Sequence, residues 1–297
     1  MKKSSKIILI VILSILAIIL INLLIFLLIN NKRTNTKLFN IGSTLIYQNE
    51  FNLEEINNIN ISLESENIEF RQNNESNKIE ITAYGIEGEK LKADLKNGEL
   101  NISKENNVLC FFCFDLNKKV IVNLPNEYDK KITLKTSSGN VDLKNVNTKK
   151  SNIEMQTTSG DINVINANNA ILKSTSGDIK IDECSIGYIS TTSGKIDIGQ
   201  INEANLESTS GDIKVENIKE KCNIKTTSGK IKVNDSTINQ NSGITSVSGD
   251  ITIVNKDDIY YDTETVSGDV KIEKNNNRKS DIELKLKTTS GNINIKE

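Results

Sequence analysis

Residues 225–233 read "KTTSGKIKV", and nearly the same nine letters recur along the chain. Taken alone, Ser228 beside Gly229 at a predicted turn has the look of a nucleophile motif. Aligned on the glycine of each Ser-Gly pair, the chain gives nine copies: Gly139, Gly160, Gly177, Gly194, Gly211, Gly229, Gly249, Gly268 and Gly291. Successive spacings are 21, 17, 17, 17, 18, 20, 19 and 23 residues. A period this regular marks a solenoid or array, and it outranks any single motif.

The columns decide the element type. Two residues after each glycine stand Val141, Ile162, Ile179, Ile196, Ile213, Ile231, Ile251, Val270 and Ile293. Four after stand Leu143, Val164, Ile181, Ile198, Val215, Val233, Ile253, Ile272 and Ile295. The residues between them are mostly Lys, Asp or Asn, which is the period-two alternation of a half-buried strand. Before the glycine the alternation continues: five back is mostly Leu or Ile, three back is always Ser or Thr, and one back is always Ser. Each repeat therefore reads strand, tight Ser-Gly turn, strand. Glycine suits a turn that needs positive φ. Both hydroxyl columns are expected to face inward and bond backbone groups at the bend; for "KTTSGKIKV" these are Thr226 and Ser228.

Column identity and short period favour a coil of a β-solenoid over a hairpin meander, with like residues stacked about 4.8 Å apart. The predicted fold is all-β: a single-stranded parallel β-solenoid (β-helix) of nine repeats over residues 131–297, roughly 40 Å long at that spacing. Longer spacings arise from insertions opposite the turn, as in "NDSTINQNS" (234–242) and "KNNNRKS" (274–280). The last repeat ends "GNINIKE" with no evident cap, so an open C-terminal solenoid end is expected to invite self-association.

Residues 51–130 alternate less regularly. "LESENIEF" (63–70) reads as a degenerate coil, with Asn67 near its turn because Asn tolerates left-handed geometry. The segment is expected to be an irregular N-terminal β cap with degenerate coils, since solenoids need their ends protected. "VLCFFCF" (108–114) holds three of the seven Phe residues. It reads as a core strand or cap plug, with an exposed apolar lip as the alternative.

Residues 7–29, "IILIVILSILAIILINLLIFLLI", carry no charge. At about 1.5 Å per residue they span the roughly 30 Å hydrocarbon core. The run is longer than a signal-peptide core and lacks a small-residue cleavage site. The expectation is an uncleaved transmembrane signal anchor, with residues 1–6 as a short cytoplasmic tail and 30–50 as a stalk. The basic residues flanking the span are nearly balanced, so orientation with the C-terminal part outside rests on the very short N-terminal tail.

Composition narrows the function. The chain has 297 residues, no His, no Trp and only Arg33, Arg71 and Arg278 as arginines. Absent histidine removes the commonest general base and metal ligand. Six of the 37 basic residues (Lys2, Lys3, Lys6, Lys32, Arg33 and Lys37) precede the first acid, Glu50, leaving 31 against 39 acidic ones from residue 38 onward. A mildly acidic body with little arginine is not a nucleic-acid binder. Cys110, Cys113, Cys184 and Cys222 are too scattered for a disulfide scaffold. Cys110 and Cys113 make a C-x-x-C, but on a strand residues i and i+3 point to opposite faces.

The run "KKVIVNLPNEYDKKITLKTSSGNVDL" (118–143), followed by tandem "TTSGDI", "STSGDI" and "TTSGKI", resembles the bacterial putative-adhesin family. This is a domain of unknown function with TSSGDI-type repeats and a β-solenoid fold, found in YvlB-like and LiaX-like proteins. The resemblance covers roughly residues 50–297. It implies a cell-envelope location and, for some relatives, a role in envelope stress. It supplies no catalytic residues, and none is assigned here; nor is any cofactor or metal ligand.

The sequence thus favours a membrane-anchored, extracytoplasmic, non-enzymatic module for adhesion, envelope binding or scaffolding, with an envelope protein, peptide or glycan as ligand. Two alternatives stand beside it. One is a carbohydrate-active β-helix enzyme, against which no carboxylate cluster stands out of the repeat and no His accompanies the serines. The other is a glycan- or peptide-binding ladder along Ser137, Thr158, Thr175, Thr192, Thr209, Thr227, Val247, Val266 and Thr289, two residues before each glycine. The plain reading of that column is β-propensity. The residue after the glycine is Asp161, Asp178, Asp212, Asp250 or Asp269 in five copies, but Lys195 or Lys230 in two, and a lysine among the ligands argues against regular calcium sites.

Overall fold

The computed structural model describes residues 40–41, 43–106, 113–114, 118–126 and 128–297. The predicted transmembrane helix at 7–29, and Cys110 with most of the Phe-rich run, lie outside the described residues. Among the described residues the chain is all-β, with one short 3-10 turn at Leu53–Glu55 and no α-helix. No helix among them is long and apolar enough to cross a membrane.

The strands stack in a long, β-solenoid-like sheet. Where the repeat is 17 residues, the chain runs as one bent strand from turn to turn: Ile162–Ser174 lies parallel to Ile179–Thr191, residue for residue from Ile162↔Ile179 to Ser174↔Thr191. The same offset joins Ile179–Thr191 to Ile196–Ser208. The 18-residue repeat slips by one position between Ile201 and Glu203, at the corner opposite the turn. Longer insertions break the strand at that same corner, as at residues 234–241.

The aliphatic columns form one continuous core, in which Ile196, Ile198, Ile213, Val215, Ile231 and Val233 are almost fully buried. Each such side chain is worth about 1.5–3 kcal/mol over leaving it in water. A further inward column, seven residues after the glycine, comprises Val146, Ala167, Cys184, Ile201, Ile218 and Ser236.

Two turn expectations are corrected. Ser228 and the other serines next to the glycine point outward, whereas Thr226 and its equivalents are inward. The inward hydroxyl accepts the N–H of its own repeat's glycine at 2.8–3.3 Å, from Gly139 through Gly249. The glycines are not present for positive φ, which among glycines occurs at Gly88 and Gly98. A Cβ on Gly211 would stand 1.7 Å from the carbonyl oxygen of Gly194, and one on Gly249 would stand 1.8 Å from that of Gly229. Glycine is required because successive backbones stack too closely at the turn for any side chain. Asn67 likewise sits at negative φ, and its carboxamide accepts the Asn140 N–H at 3.0 Å.

At both ends, spatial order departs from sequence order. The coil of Gly249 is followed not by that of Gly268 but by that of Gly291: Ser242–Ser246 pairs with Glu283–Thr288, and Ile251–Val254 with Ile293–Lys296. The Gly268 coil, Tyr260–Thr265 and Val270–Ile272, stacks outside it and forms the end. The open end is therefore the eighth repeat, not the last one as the sequence suggested. Composition explains the order. The ninth repeat presents Leu284, Leu286, Ile293 and Ile295, all fully buried, while the eighth has Thr263 where its neighbours carry Leu or Ile. The loop between them stitches the arrangement: Lys274 Nζ donates to the carbonyls of Asn255 (2.9 Å) and Asp257 (2.7 Å).

At the other end, residues 58–73 form the degenerate coil anticipated around Asn67, stacked on Lys131–Lys135 and Val141–Asn145. Glu99–Asn106 and Lys119–Pro125 lie parallel on its outer side. Antiparallel strands then cover that layer: Lys90–Lys96 on the former, Lys78–Gly85 on the latter, and Thr44–Asn52 on Lys78–Gly85. The outermost strands, Thr44–Asn52 and Lys90–Lys96, thus run antiparallel to their neighbours, and the parallel stack of coils does not continue past them.

Candidate binding surface

The groups that looked capable of chemistry serve the stacking. Asp161, Asp178 and Asp212 each use Oδ1 to accept the N–H one coil further on, from Asp178 (2.8 Å), Lys195 (2.7 Å) and Lys230 (2.8 Å). Asp250 does the same for Asn292 at 2.9 Å, across the reordered coils. The column considered for calcium is thus a ladder of side chains bonded to backbone. It tolerates Lys195 and Lys230 because each still supplies the N–H.

The outward serines have no histidine to activate them, since the chain contains none, and their N–H groups tie the turns together. Ser176, Ser193, Ser210, Ser228 and Ser248 donate to the carbonyls of Thr158, Thr175, Thr192, Thr209 and Thr227 at 2.8–2.9 Å. This second backbone ladder fixes the Thr column as a flat, exposed row. Beside it lies a groove of about 450 Å³, lined by Ser190, Thr192, Glu207, Thr209, Lys225 and Thr227. On the same outer sheet, Ile171 and Tyr188 are register partners and both are exposed.

Past the turn, the other outer face is charged. A depression of about 500 Å³ is lined by Lys195, Asp197, Lys214, Lys230, Lys232 and Asp250. A third hollow, about 670 Å³, sits where the antiparallel strands meet the first coil, lined by Asn67, Glu69, Tyr84, Lys119, Asn140 and Asp142. There the Lys119 ammonium lies 5.5 Å from the Tyr84 ring centroid, within cation–π range.

Cys184 and Cys222 are buried free thiols, and burial pushes each up to about 12. They are held protonated at neutral pH and behave as small core residues rather than nucleophiles.

Among the described residues one ionic cluster is buried. Lys104 bridges Glu66 (2.8 Å) and Glu89 (3.0 Å), and Lys118 reaches Glu89 at 2.8 Å. Burial raises the Glu66 carboxyl, but the Lys104 contact and the N–H groups of Ser65 and Glu66 outweigh it, leaving it below the usual carboxylate range. Glu89 is also lowered: burial opposes, while Lys118, Lys104 and the Ile86 N–H prevail. Glu66 precedes Asn67 at the turn of the first coil, so this cluster clamps the antiparallel strands onto the end of the glycine row. Sequence reading missed it because its members are far apart in the chain and unremarkable singly.

The family described as Toastrack DUF4097 matches residues 56–296. Three solved structures are similar. A putative adhesin from Bacteroides fragilis has 14% identity and a TM-score of 0.44, covering 86% of this chain and 100% of that one. A putative cell adhesion protein from Clostridium sporogenes has 16% identity and a TM-score of 0.25, with 86% and 99% covered. A putative lipid binding protein from Parabacteroides distasonis has 15% identity and a TM-score of 0.36, also with 86% and 99% covered. No curated protein matches the chain.

Proposed function

Because the chain belongs to the Toastrack DUF4097 family, we propose that it is a non-enzymatic binding or scaffold module of the cell envelope. In this reading residues 1–6 are a cytoplasmic tail, 7–29 a signal anchor and 30–50 a stalk, although a strand already begins at Thr44. Residues 51–130 cap a parallel solenoid formed by 131–297, and both lie outside the membrane. The observation that supports it best is the assignment of the polar columns: Asp161, Asp178 and Asp212 bond coil to coil and Thr226 closes its own turn, while the Thr158–Thr227 row is left flat and exposed. A rigid row with a repeat near 4.8 Å suits an extended ligand, a glycan strand or a peptide, lying along the groove beside Thr192. Envelope stress sensing is a role such a module serves by holding one ligand.

Two measurements test this. Protease added to intact cells should digest the region after residue 50 while sparing it in sealed inverted vesicles; the reverse pattern rejects the topology. Glycan and peptide arrays probed with the chain should show binding that Thr192→Lys weakens at least about tenfold, as a charge intruding on a desolvated contact does. Turnover on a polysaccharide panel would instead favour the enzyme reading.

A further inference from the structure

The eighth repeat is where the stack stops with its ladder open. Val270–Ile272 pairs with Ile293–Lys296 on one side and, among the described residues, with nothing on the other. On the paired side Asp269 accepts the N–H of Ile293 and Glu273 donates to the carbonyl of Ile295, both at 2.9 Å. Alternate residues of a parallel strand bond to opposite sides, so the N–H and C=O of Val270 and Ile272 face outward. Further along the same edge the backbone is bonded at Tyr261. The Tyr261 N–H donates to the Asn276 carboxamide oxygen (2.8 Å), and the Asn276 amide donates back to the Tyr261 carbonyl (3.0 Å). The loop thus seals the edge at Tyr261 and leaves the part beside the turn open. The core is bare at the same place: Val270 is 42% exposed and Val266 75%, where Ile251 and Ile293 are fully buried.

We propose that this edge pairs with a second copy of the chain, antiparallel, about a two-fold axis at Ile272. The outward N–H and C=O of Ile272 then exchange hydrogen bonds with those of the copy's Ile272. The register sets Lys271 opposite the copy's Glu273 and Glu273 opposite the copy's Lys271. Within one copy these two side chains already lie 2.6 Å apart on one face, so the four charges alternate in sign across the axis. Asp262 and Glu264, the acids on the adjoining strand, are neutralised by Lys285 (3.1 Å) and Lys287 (2.9 Å) and do not oppose the approach. On the inward face, the column Ile253, Ile295, Ile272 continues into the copy's own. This self-association is independent of any envelope ligand.

Sedimentation of the full chain in detergent micelles tests it. The wild type is expected to form a dimer, and Lys271→Glu or Glu273→Lys alone to weaken it about tenfold, by setting like charges opposite one another at two symmetric positions. An equimolar mixture of those two variants should regain the dimer, because their charge patterns complement each other across the axis. The double variant carrying both changes should dimerise like the wild type. A mixture no more dimeric than either variant alone overturns the proposal. So does a dimer indifferent to both changes, which would place association at residues 7–29 or another surface. A monomeric wild type with the Ile272 amide protected from exchange also overturns it, and would mean that residues 1–39 or another part of the chain cover the edge.

Discussion

Gly211 sits with its Cα against the carbonyl of Gly194, and that contact, repeated up the stack, explains why the turn admits no other residue. Gly211→Ala is expected to cost about 3 kcal/mol, since backbone is what the new methyl meets and backbone shifts are expensive. Gly243→Ala is the control: the nearest atom to its Cβ is 4.0 Å away, and a strand glycine replaced by alanine should be neutral or gain about 0.5 kcal/mol. Denaturant unfolding of both variants distinguishes them, and equal effects would mean that the stack relaxes around the methyl. The invariant glycine was legible in the sequence but its reason was not. A turn glycine and a close-packed glycine look alike until the neighbouring coil is placed. The same holds for the two hydroxyl columns. Thr226 and Ser228 share a parity and a chemistry, and only the bend between them sends one inward and the other into water.

The strand pattern itself was plain to read as far as the fourth residue after each glycine. It failed beyond, because the corner between there and Ile201 or Ile218 adds an odd step and inverts the alternation. A period-two reading has no way to carry phase through a bend, although aliphatic or small residues at that offset in six successive repeats were a usable signal. The Glu66–Lys104–Glu89–Lys118 clamp belongs to this scale, and its acids make it pH-dependent. Both carboxyls titrate below their ordinary value of 4.5 when folded. Their contribution is therefore fully present above pH 4.5 and is lost as pH falls below it through the folded values. Glu66→Gln should cost about 1–3 kcal/mol at neutral pH by leaving Lys104 with one partner fewer. The difference from wild type should shrink steadily in unfolding curves below pH 4.5; a constant difference down to pH 2 would show that the carboxylate's charge is not what matters.

For the whole molecule, the number of coils and their parallel stacking follow from the sequence, but their order does not. The columns are alike from repeat to repeat, so any coil can seat on any other, and the sequence offers no register between them. What selects the order is a small difference in apolar content, Thr263 against Leu286 and an exposed Val270 against a buried Ile293. Hydrogen exchange should report this. Amides in Ile162–Ser174 through Ile213–Thr226 should exchange slowest, and those of Tyr260–Thr265 and Glu283–Thr288 should open together as one cooperative unit. Independent opening of the eighth and ninth repeats would contradict the interleaving.

The interleaved end also bears on how the protein is made. A solenoid in plain order can fold as it emerges, each new turn docking on the one before. Here the eighth repeat leaves the ribosome, or the translocation pore, before the coil that must lie beneath it exists. It has to wait, undocked or provisionally seated on the Gly249 coil, until the ninth arrives and slides in. A chain halted between the two would present a finished-looking stack with the wrong final layer, lacking the Leu284 and Leu286 seat and the Lys274 and Asn276 stitches. The cell's proteases would meet in that halted chain a loose end that the completed molecule does not offer.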